Sequence, residues 1–251
     1  MAIKQKKTCL ITGAAGGIGQ ALVHVFQHAN FRVIATDILP KPAELTCAHY
    51  IQSDLSSFAE NELYAQETVS FIRDALCGCP LVALINNAAV QILGNVDSLS
   101  RADWQQTLGV NLMAPFLLTQ AFLPELESAK GCVINIGSIH ARLTKKDFVA
   151  YATSKAALAG MTRALAIELG ARVRINAIEP GAIETDMLKA GFDGKPDLYA
   201  QLLECHPQQR IGQPIEVAQL ALTVVEGGAK FLHGACLALD GGIGARLYDP
   251  N

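Results

Sequence analysis

Short apolar runs alternate along the chain with longer segments of helical periodicity, and this alternation is what most restricts the fold. Six runs are apolar almost without interruption, as strands are when helices cover both faces of a parallel sheet. These runs span 8–12, 31–36, 81–85, 132–136, 173–178 and 235–239, with a weaker candidate at 49–53. Helical patterns lie near 17–29, 57–77, 101–128, 150–171 and 214–226. The sequence therefore predicts an α/β fold with a doubly wound parallel sheet of Rossmann type.

The alternation continues through all 251 residues without a repeat, linker or low-complexity tract. We therefore expect one dinucleotide-binding domain over 1–251. The stretch 186–213 is rich in Gly, Pro and polar residues and interrupts the pattern, which predicts a functional lid. Only a short segment containing Pro40 and Pro42 separates Asp37 from His49, so no full helix is expected there.

Composition limits the classes of partner. Apolar residues make up 51% and charged residues 17% of the chain, and the formal net charge is −3. These values exclude a disordered chain and give no indication of nucleic acid or an anionic membrane surface. Charged residues interrupt the longest apolar segment, 148–171, which favours a buried helix over a membrane span.

The cysteines indicate a reducing compartment. Their number, 7, is odd, and several lie inside apolar runs, as expected for free thiols in the cytoplasm. Cys77 and Cys79 form the one close pair, and no second Cys or His pair follows at zinc spacing. No metal site is therefore expected.

A glycine-rich turn, Thr12-Gly-Ala-Ala-Gly-Gly-Ile-Gly19, joins the first strand to the first helical pattern. Small residues at this place let the backbone approach a pyrophosphate, which the N-terminus of the helix stabilises. Asp37 ends the second strand, where a carboxylate can accept hydrogen bonds from the ribose hydroxyls of NAD. It would repel the 2′-phosphate of NADP, and no Lys or Arg lies in the turn or directly after Asp37. The sequence therefore predicts NAD as the cofactor.

Tyr151 and Lys155 are four residues apart at the start of a helical pattern, so they share one helical face. A free phenol has a pKa of about 10, and a base near neutral pH needs that pKa lowered by roughly three units, or about 4 kcal/mol. A cation about 4 Å away at an effective dielectric constant of about 20 supplies about that much. The pair is predicted to perform general acid–base chemistry on an alcohol or ketone.

The glycine spacing and these residues together resemble the short-chain dehydrogenase/reductase family. The turn has that family's Thr-Gly-x-x-x-Gly-x-Gly pattern, and Asn111, Ser138, Tyr151 and Lys155 follow in the order of its catalytic residues. The resemblance implies that Tyr151 exchanges the proton, while Lys155 lowers its pKa and holds the nicotinamide ribose. It also implies that Ser138 orients the substrate oxygen and that Asn111 supports a water-linked proton relay.

The resemblance extends over 8–242. Asp54-Leu55 resembles the segment that meets adenine, and Pro180 to Thr185 resembles the segment at the nicotinamide carboxamide. The segment 86–89 resembles the family's Asn-Asn-Ala-Gly motif, although Ala89 replaces the glycine. The implied cofactor-binding residues are Gly13, Gly17, Ile18, Gly19, Asp37, Asp54, Leu55, Asn87, Ala88, Tyr151, Lys155, Pro180, Gly181, Ile183 and Thr185.

Taken together, these features imply an enzyme that transfers a hydride between NAD(H) and a secondary alcohol or ketone such as a polyol, sugar or hydroxy acid. A 3-oxoacyl thioester reductase is the alternative, although Asp37 disfavours it because reductive biosynthesis usually uses NADPH. A non-catalytic NAD-binding sensor or scaffold is a second alternative, against which the four catalytic residues argue. In the family, helices matching 101–128 and 150–171 pair across subunits, which implies a homo-tetramer or homo-dimer.

Three further residues have open roles at this level. His140, two residues after Ser138, is either a substrate contact or a loop-packing residue. His206, in the expected lid, is a weaker candidate for substrate contact. Glu179, directly before Pro180, belongs either to a solvated loop or to a polar substrate contact.

Overall fold

The computed structural model describes residues 6–228 and 230–247, which form one parallel sheet of seven strands. The strands are β1 (Thr8–Thr12), β2 (Arg32–Asp37), β3 (His49–Gln52), β4 (Leu81–Asn86), β5 (Cys132–Ile136), β6 (Arg174–Pro180) and β7 (Cys236–Leu239). Their order is β3-β2-β1-β4-β5-β6-β7. The doubly wound α/β fold is confirmed, including the weaker strand candidate. Residues 1–5, 229 and 248–251 of the expected domain lie outside the described part.

Helices cover both faces of the sheet. They are α1 (Gly17–His28), α2 (Leu55–Glu60), α3 (Glu62–Leu76), α4 (Arg101–Leu108), α5 (Ala114–Ala121), α6 (Leu123–Ser128), α7 (Val149–Leu169), α8 (Asp186–Gly191), α9 (Pro196–Cys205) and α10 (Pro214–Glu226). One core packs α1 and α10 against the sheet, and a second packs α3, α5 and α6 on the other face. Within the described residues, no helix combines the length and apolar character that a bilayer crossing requires.

The single helix expected over 57–77 is wrong. The structure divides this segment into α2 and α3 because two side chains cap helix N-termini within a few residues of each other. The Asp54 carboxylate accepts a hydrogen bond from Ser56 N, and the Asn61 side chain accepts one from Tyr64 N. A side-chain cap satisfies a free amide at a helix start, so each cap stabilises a new helix there.

The continuous helix expected over 101–128 is also wrong. A π-helical turn at Gly109–Met113 separates α4 from α5, and α6 begins at Leu123 with a proline in its first turn. Pro124 has no amide hydrogen, so it cannot continue the hydrogen-bond ladder of α5. The π-helical turn contains Asn111, which places this catalytic candidate at a local irregularity.

The connection between β2 and β3 contains no helix, as the sequence predicts. Side chains of β3 hold the connecting segment instead. The Tyr50 hydroxyl donates to the Leu39 carbonyl at 2.8 Å, and the Gln52 side-chain amide donates to the Ile38 carbonyl at 2.9 Å.

The expected lid at 186–213 consists of α8 and α9 followed by a strap at 206–213. Neither helix contains a buried residue. The strap is attached to the end of β6, because Gly212 N donates to the Ala182 carbonyl and its own carbonyl accepts from Glu184 N. Arg210 adds a bidentate ion pair with Glu216 of α10 at 2.7 Å. The segment is therefore fixed at its C-terminal end, while its function as a lid stays a prediction.

The glycine turn folds back on itself where α1 begins. A Cβ on Gly19 would overlap the carbonyl oxygen of Gly13 and lie 2.7 Å from the Ala14 Cα. Gly16 differs, because a Cβ there would meet only the Gly13 carbonyl oxygen, at an ordinary 3.7 Å. The turn therefore requires glycine at 19 for packing and tolerates a methyl group at 16.

We expect Gly19→Ala to lower the free energy of unfolding by about 1–3 kcal/mol, because the added methyl group overpacks the turn. Gly16→Ala should change it by about 0.5 kcal/mol or less. Chemical denaturation of both variants tests this, and equal stability of the two would contradict the packing assignment.

Candidate active site

The carboxyl ends of β1 and β4 are joined by a network of hydrogen bonds. The Thr12 hydroxyl accepts from the backbone amides of Asn87 and Ala88, both at 3.0 Å. The side-chain amide of Asn87 donates to the carbonyls of Thr12 and Gly13 at 3.0 and 2.9 Å. The strand order reverses between β1 and β4, and open α/β sheets bind ligands at such a switch point. The structure thus brings Gly13, Asn87 and Ala88 together there.

The backbone at this switch point fits a dinucleotide. Gly13 has φ +65°, and a Cβ on it would lie 2.7 Å from the Ala88 Cα, so side chains are kept out of this crevice. Among the described residues, no side chain caps the N-terminus of α1, where Gly16 is the capping residue. Free amides at a helix N-terminus can bind phosphate groups. Thr185 approaches the same turn, because a Cβ on Gly17 would lie 3.2 Å from its Cγ2.

Asp37 lies beside the glycine turn. One carboxylate oxygen accepts from Ala15 N at 2.8 Å and the other accepts from Leu39 N at 2.9 Å. These bonds hold the carboxylate at the end of β2, where the sequence places the ribose-binding acid. Each oxygen can accept further hydrogen bonds, so the interaction with the turn is compatible with binding a diol.

The other predicted cofactor contacts have structural partners of their own. Asp54 caps α2, and Leu55 is buried in the core with the helices beyond β3. Pro180 ends β6, and a Cβ on Gly181 would lie 3.0 Å from the Asp240 Cα. Ile183 is buried, and Ile18 packs against the core beside α1. Their contacts with a cofactor stay predictions.

Asn111 is buried, and its side chain is fully engaged. Its oxygen accepts from Val90 N at 2.8 Å, while its amide donates to the Val90 carbonyl at 2.9 Å and the Ser154 hydroxyl at 3.0 Å. The side chain therefore ties the segment after β4 to α7. Because this side chain is engaged, only the backbone of Asn111 is left to take part in a proton relay. That backbone lies in a π-helical turn, a feature found often at functional sites.

Ser138 and Tyr151 meet just beyond the end of β5. The Ser138 oxygen accepts from His140 N at 3.2 Å, which leaves the hydroxyl proton free to point elsewhere. A side-chain hydrogen bond also links Ser138 to Tyr151 and acts to lower the pKa of the phenol. The two hydroxyls that the sequence assigns to a substrate oxygen are therefore neighbours.

Lys155 is buried below Tyr151. Its Nζ donates to the Ile136 carbonyl at 2.8 Å and lies 5.7 Å from the centroid of the Tyr151 ring. Burial disfavours the charged form and lowers the pKa of Lys155 to about 8.

The sequence predicts that Lys155 lowers the pKa of Tyr151. For these two residues alone, that prediction is wrong. Burial raises the pKa of Tyr151, and the hydrogen bond from Ser138 offsets only part of that increase. The sequence argument counted the attraction of one cation and omitted desolvation, which disfavours a buried phenolate. Tyr151 is therefore protonated at neutral pH.

An aromatic wall, formed by His140, Phe148 and Tyr151, lines the site. His140 stacks on Phe148 with ring centroids 4.3 Å apart and meets the edge of Tyr151 at 5.8 Å. Burial, with a smaller contribution from Lys145, lowers the pKa of His140 to about 4, so its imidazole is neutral. Sequence reasoning singled out His140 and missed Phe148, although its position three residues before Tyr151 could have indicated it.

An ion pair between a half-exposed arginine and a buried glutamate lies beside this loop. Arg142 donates to the Glu179 carboxylate at 2.9 Å and lies 3.9 Å from the Asp240 carboxylate. Glu179 therefore does not belong to a solvated loop, and Arg142 is its partner that sequence reasoning missed. His206 is buried at the end of α9 with its Nδ1 bonded to the Leu202 carbonyl at 2.8 Å, so it packs within the lid.

Comparison with known proteins places this geometry in a family. A protein-family model described as Enoyl-(Acyl carrier protein) reductase matches residues 13–244. Protein FixR of Bradyrhizobium diazoefficiens is 35% identical, with 95% of this chain and 87% of that protein covered. The chain belongs to the short-chain dehydrogenase/reductase family. Members of this family are oxidoreductases that use a nicotinamide cofactor, so the predicted family and cofactor class are confirmed, whereas NAD in particular is not decided.

Further relatives are dehydrogenases. D-threitol dehydrogenase of Mycolicibacterium smegmatis is 33% identical, with 94% of this chain and 92% of that protein covered. The ligand-free aldohexose dehydrogenase of Thermoplasma acidophilum superposes with a TM-score of 0.90 at 27% identity, covering 98% of this chain and 97% of that one.

Solved structures with either cofactor are similar to this chain. A 4-hydroxyisoleucine dehydrogenase complexed with NADH superposes with a TM-score of 0.85 at 28% identity, covering 96% of this chain and 100% of that one. A Beutenbergia cavernae structure described as an NAD(P) dependent gluconate 5-dehydrogenase, with bound NADP, has a TM-score of 0.85 at 27% identity. It covers 97% of this chain and 98% of that one.

The buried Lys155 predicts a pH-dependent stability. Its pKa is about 8 when folded and near the usual 10.5 when unfolded, so the unfolded chain binds more protons between these values. Relative to a Lys155→Met variant, the wild type should therefore gain up to about 3 kcal/mol of unfolding free energy as pH rises from 8 to 10.5. Parallel denaturation curves of the two proteins across this range measure the difference. A constant difference would show that Lys155 keeps an ordinary pKa in the fold.

Proposed function

We propose that the protein is an NAD(H)-dependent oxidoreductase that interconverts a secondary alcohol and its ketone. The observation that carries the proposal is the meeting of Ser138, Tyr151 and the buried Lys155 at the end of β5, beside the glycine crevice of β1 and β4. A hydride donor in that crevice and a proton donor at Tyr151 would act on the same carbonyl group.

Tyr151 acts as the proton donor in the direction of ketone reduction. Its burial raises the pKa of the phenol, so the group enters the reduction in its protonated form. Ser138 donates a second hydrogen bond to that oxygen, because its own oxygen is occupied by His140 N. A bound nicotinamide supplies or accepts the hydride at the substrate carbon. In alcohol oxidation Tyr151 must first lose its proton, which the hydrogen bond with Ser138 favours because it acts to lower the pKa of the phenol.

Lys155 and Asn111 support this proton transfer from opposite sides. Lys155 holds its ammonium group in place with the Ile136 carbonyl, and its remaining donors are available to a ribose hydroxyl. Asn111 fixes the segment after β4 against α7, which keeps the wall of the crevice in register with Tyr151.

The preference for NAD over NADP rests on Asp37. Its carboxylate lies within 2.8 Å of an amide in the glycine turn, where a 2′-phosphate would bring a second negative charge. Similar solved structures hold NADH in one case and NADP in another, so the relatives favour neither cofactor.

Substituting Asp37 should shift this preference. We expect the wild type to use NADH at least about tenfold better than NADPH, and Asp37→Ser to reduce that ratio because it removes the repulsive charge. Glu44→Gln is the matched control, since it removes a carboxylate from the same connecting segment away from the strand end. Ratios of kcat/KM for the two cofactors test this. A wild-type preference for NADPH would overturn the assignment and favour the biosynthetic acyl reductase.

The proposal covers polyols, sugars and hydroxy acids, with 3-oxoacyl thioesters as the alternative class. D-threitol dehydrogenase and aldohexose dehydrogenase among the similar proteins support the polyol and sugar classes. A non-catalytic NAD-binding sensor would not require a phenol, a hydroxyl and a buried ammonium group at one point.

Tyr151→Phe separates an enzyme from a binding module. The variant should lose at least about 99% of turnover, because general acid–base catalysis contributes roughly 10²–10⁴-fold, while NADH binding by fluorescence titration remains. Tyr50→Phe removes a phenol hydroxyl outside the site and should keep wild-type turnover. Undiminished turnover in Tyr151→Phe would refute the acid–base assignment.

We further propose that the protein is a homo-oligomer and that it lies in the cytoplasm, a reducing compartment. Exposed apolar side chains on α7 and the π-helical turn, among them Met113 and Ile167, support pairing of these elements across subunits. Cys9 and Cys132 are buried free thiols in the core, which supports the reducing compartment.

A further inference from the structure

Exposed apolar side chains surround the site on three loops. They form an apolar rim of four residues, with exposed fractions of 53% for Leu93, 48% for Leu143, 55% for Met187 and 49% for Leu198. Single exposed apolar residues are common on protein surfaces and need no explanation. Here, however, they come from the segments that follow β4, β5 and β6, three neighbouring strands whose carboxyl ends form the site.

Contacts of the backbone place the apolar rim beside the catalytic residues. Gly94, next to Leu93, donates to the Asp147 carbonyl at 2.8 Å and forms a bridge with Phe148 of the aromatic wall. Leu143 N donates to the Ile139 carbonyl in the turn directly after Ser138.

Two residues of the apolar rim belong to the lid, which begins beside the cofactor crevice. Met187 lies in the first turn of α8, whose N-cap is Thr185, and a Cβ on Gly17 of the glycine turn would lie 3.2 Å from the Thr185 Cγ2. Leu198 follows on α9. The lid segment of the rim thus begins beside the crevice, and the segments after β4 and β5 lie beside the aromatic wall.

The lid helices leave their apolar side chains incompletely covered. Neither α8 nor α9 contains a buried residue, although α9 carries Leu198, Leu202 and Leu203. A surface helix normally buries its apolar side against other apolar groups. The apolar side chains of α8 and α9 are therefore not fully covered by other apolar groups of the protein. The two helices begin at the site.

Three polar side chains on the loop after β5 have partners within the protein. Arg142 is paired with the buried Glu179, and the His140 Nδ1 lies 3.3 Å from the Thr144 hydroxyl. Lys145 lies over the Phe148 ring, with its Nζ 4.7 Å from the centroid. A substrate with many hydroxyls would find few free partners on this loop, and an unpaired polar group that is buried costs binding free energy.

We infer that the substrate is a secondary alcohol or ketone whose body is apolar, such as an alicyclic ring or hydrocarbon chain, rather than a polyol or sugar. Ser138 and Tyr151 bind its single oxygen, and the apolar rim with the lid covers its hydrocarbon part. The inference rests on the proposed function for the identity of the reacting group, and it replaces the polyol and sugar classes named there with an apolar class of secondary alcohol or ketone.

A ring series that differs only in hydroxyl number tests this class. Cyclohexanol, trans-1,2-cyclohexanediol and myo-inositol are titrated into the Tyr151→Phe protein with NAD⁺ present, and their dissociation constants are measured by saturation-transfer NMR. Because this variant cannot turn over, binding preference is read separately from catalysis. We expect cyclohexanol to bind at least about tenfold more tightly than myo-inositol, with the diol between them.

Variants of the rim locate the binding site. Leu143→Ser and Met187→Ser in the same background should each weaken cyclohexanol binding at least about threefold, because each removes apolar contact area. Leu63→Ser is the matched control, since Leu63 is 72% exposed on α3, away from the site, and its loss should leave the dissociation constant unchanged.

Several results would overturn the inference. They are equal or tighter binding of myo-inositol, no saturable binding of cyclohexanol, or rim variants that bind like Leu63→Ser. A change of oligomeric state in the rim variants with cyclohexanol binding intact would instead assign the rim to a second copy of the chain. Turnover of polyols by the wild type together with any of these outcomes would leave the proposed function standing and reject only the apolar substrate class.

Discussion

Close backbone contact at the glycine turn is the constraint on which the rest of the site depends. A side chain on Gly13 or Gly19 would overlap neighbouring backbone, and the Asn87 side chain donates to the carbonyls of Thr12 and Gly13 at the start of the turn. These contacts set the distance between β1, β4 and the start of α1. Because the contact leaves the helix N-terminus open, the same atoms that close the fold also form the surface on which a dinucleotide can lie.

Burial rather than charge attraction dominates the catalytic pair. The same desolvation that raises the pKa of Tyr151 above its usual range lowers that of Lys155 to about 8, so burial favours the uncharged form of both groups. The hydrogen bond from Ser138 acts on one member of the pair and so adjusts this balance.

The sequence predicted the doubly wound parallel sheet, the glycine turn and the meeting of Ser138 with Tyr151. Each of these depends on a local sequence pattern and on the common direction of parallel strands. It failed at 57–77 and 101–128, where apolar periodicity continues through Asn61 and Phe122 although capping and proline chemistry end the helices. It also failed for the tyrosine pKa, since burial depends on packing between distant segments. The Arg142–Glu179 pair joins residues 37 positions apart, and no local pattern indicates it.

The strap after α9 has a consequence for the order of events at the site. Its hydrogen bonds with Ala182 and Glu184 fix the returning chain to the end of β6, and Thr185 at the other end rests on Gly17. Both ends of the lid are thus anchored within a few residues of each other, so α8 and α9 form a flap with a single base. A swing of that flap would open the side of the cleft that carries the apolar rim, while the residues against the dinucleotide stay in place. Such an arrangement would let the product leave before the dinucleotide, which must itself be replaced after each turnover because it has given up or taken up the hydride.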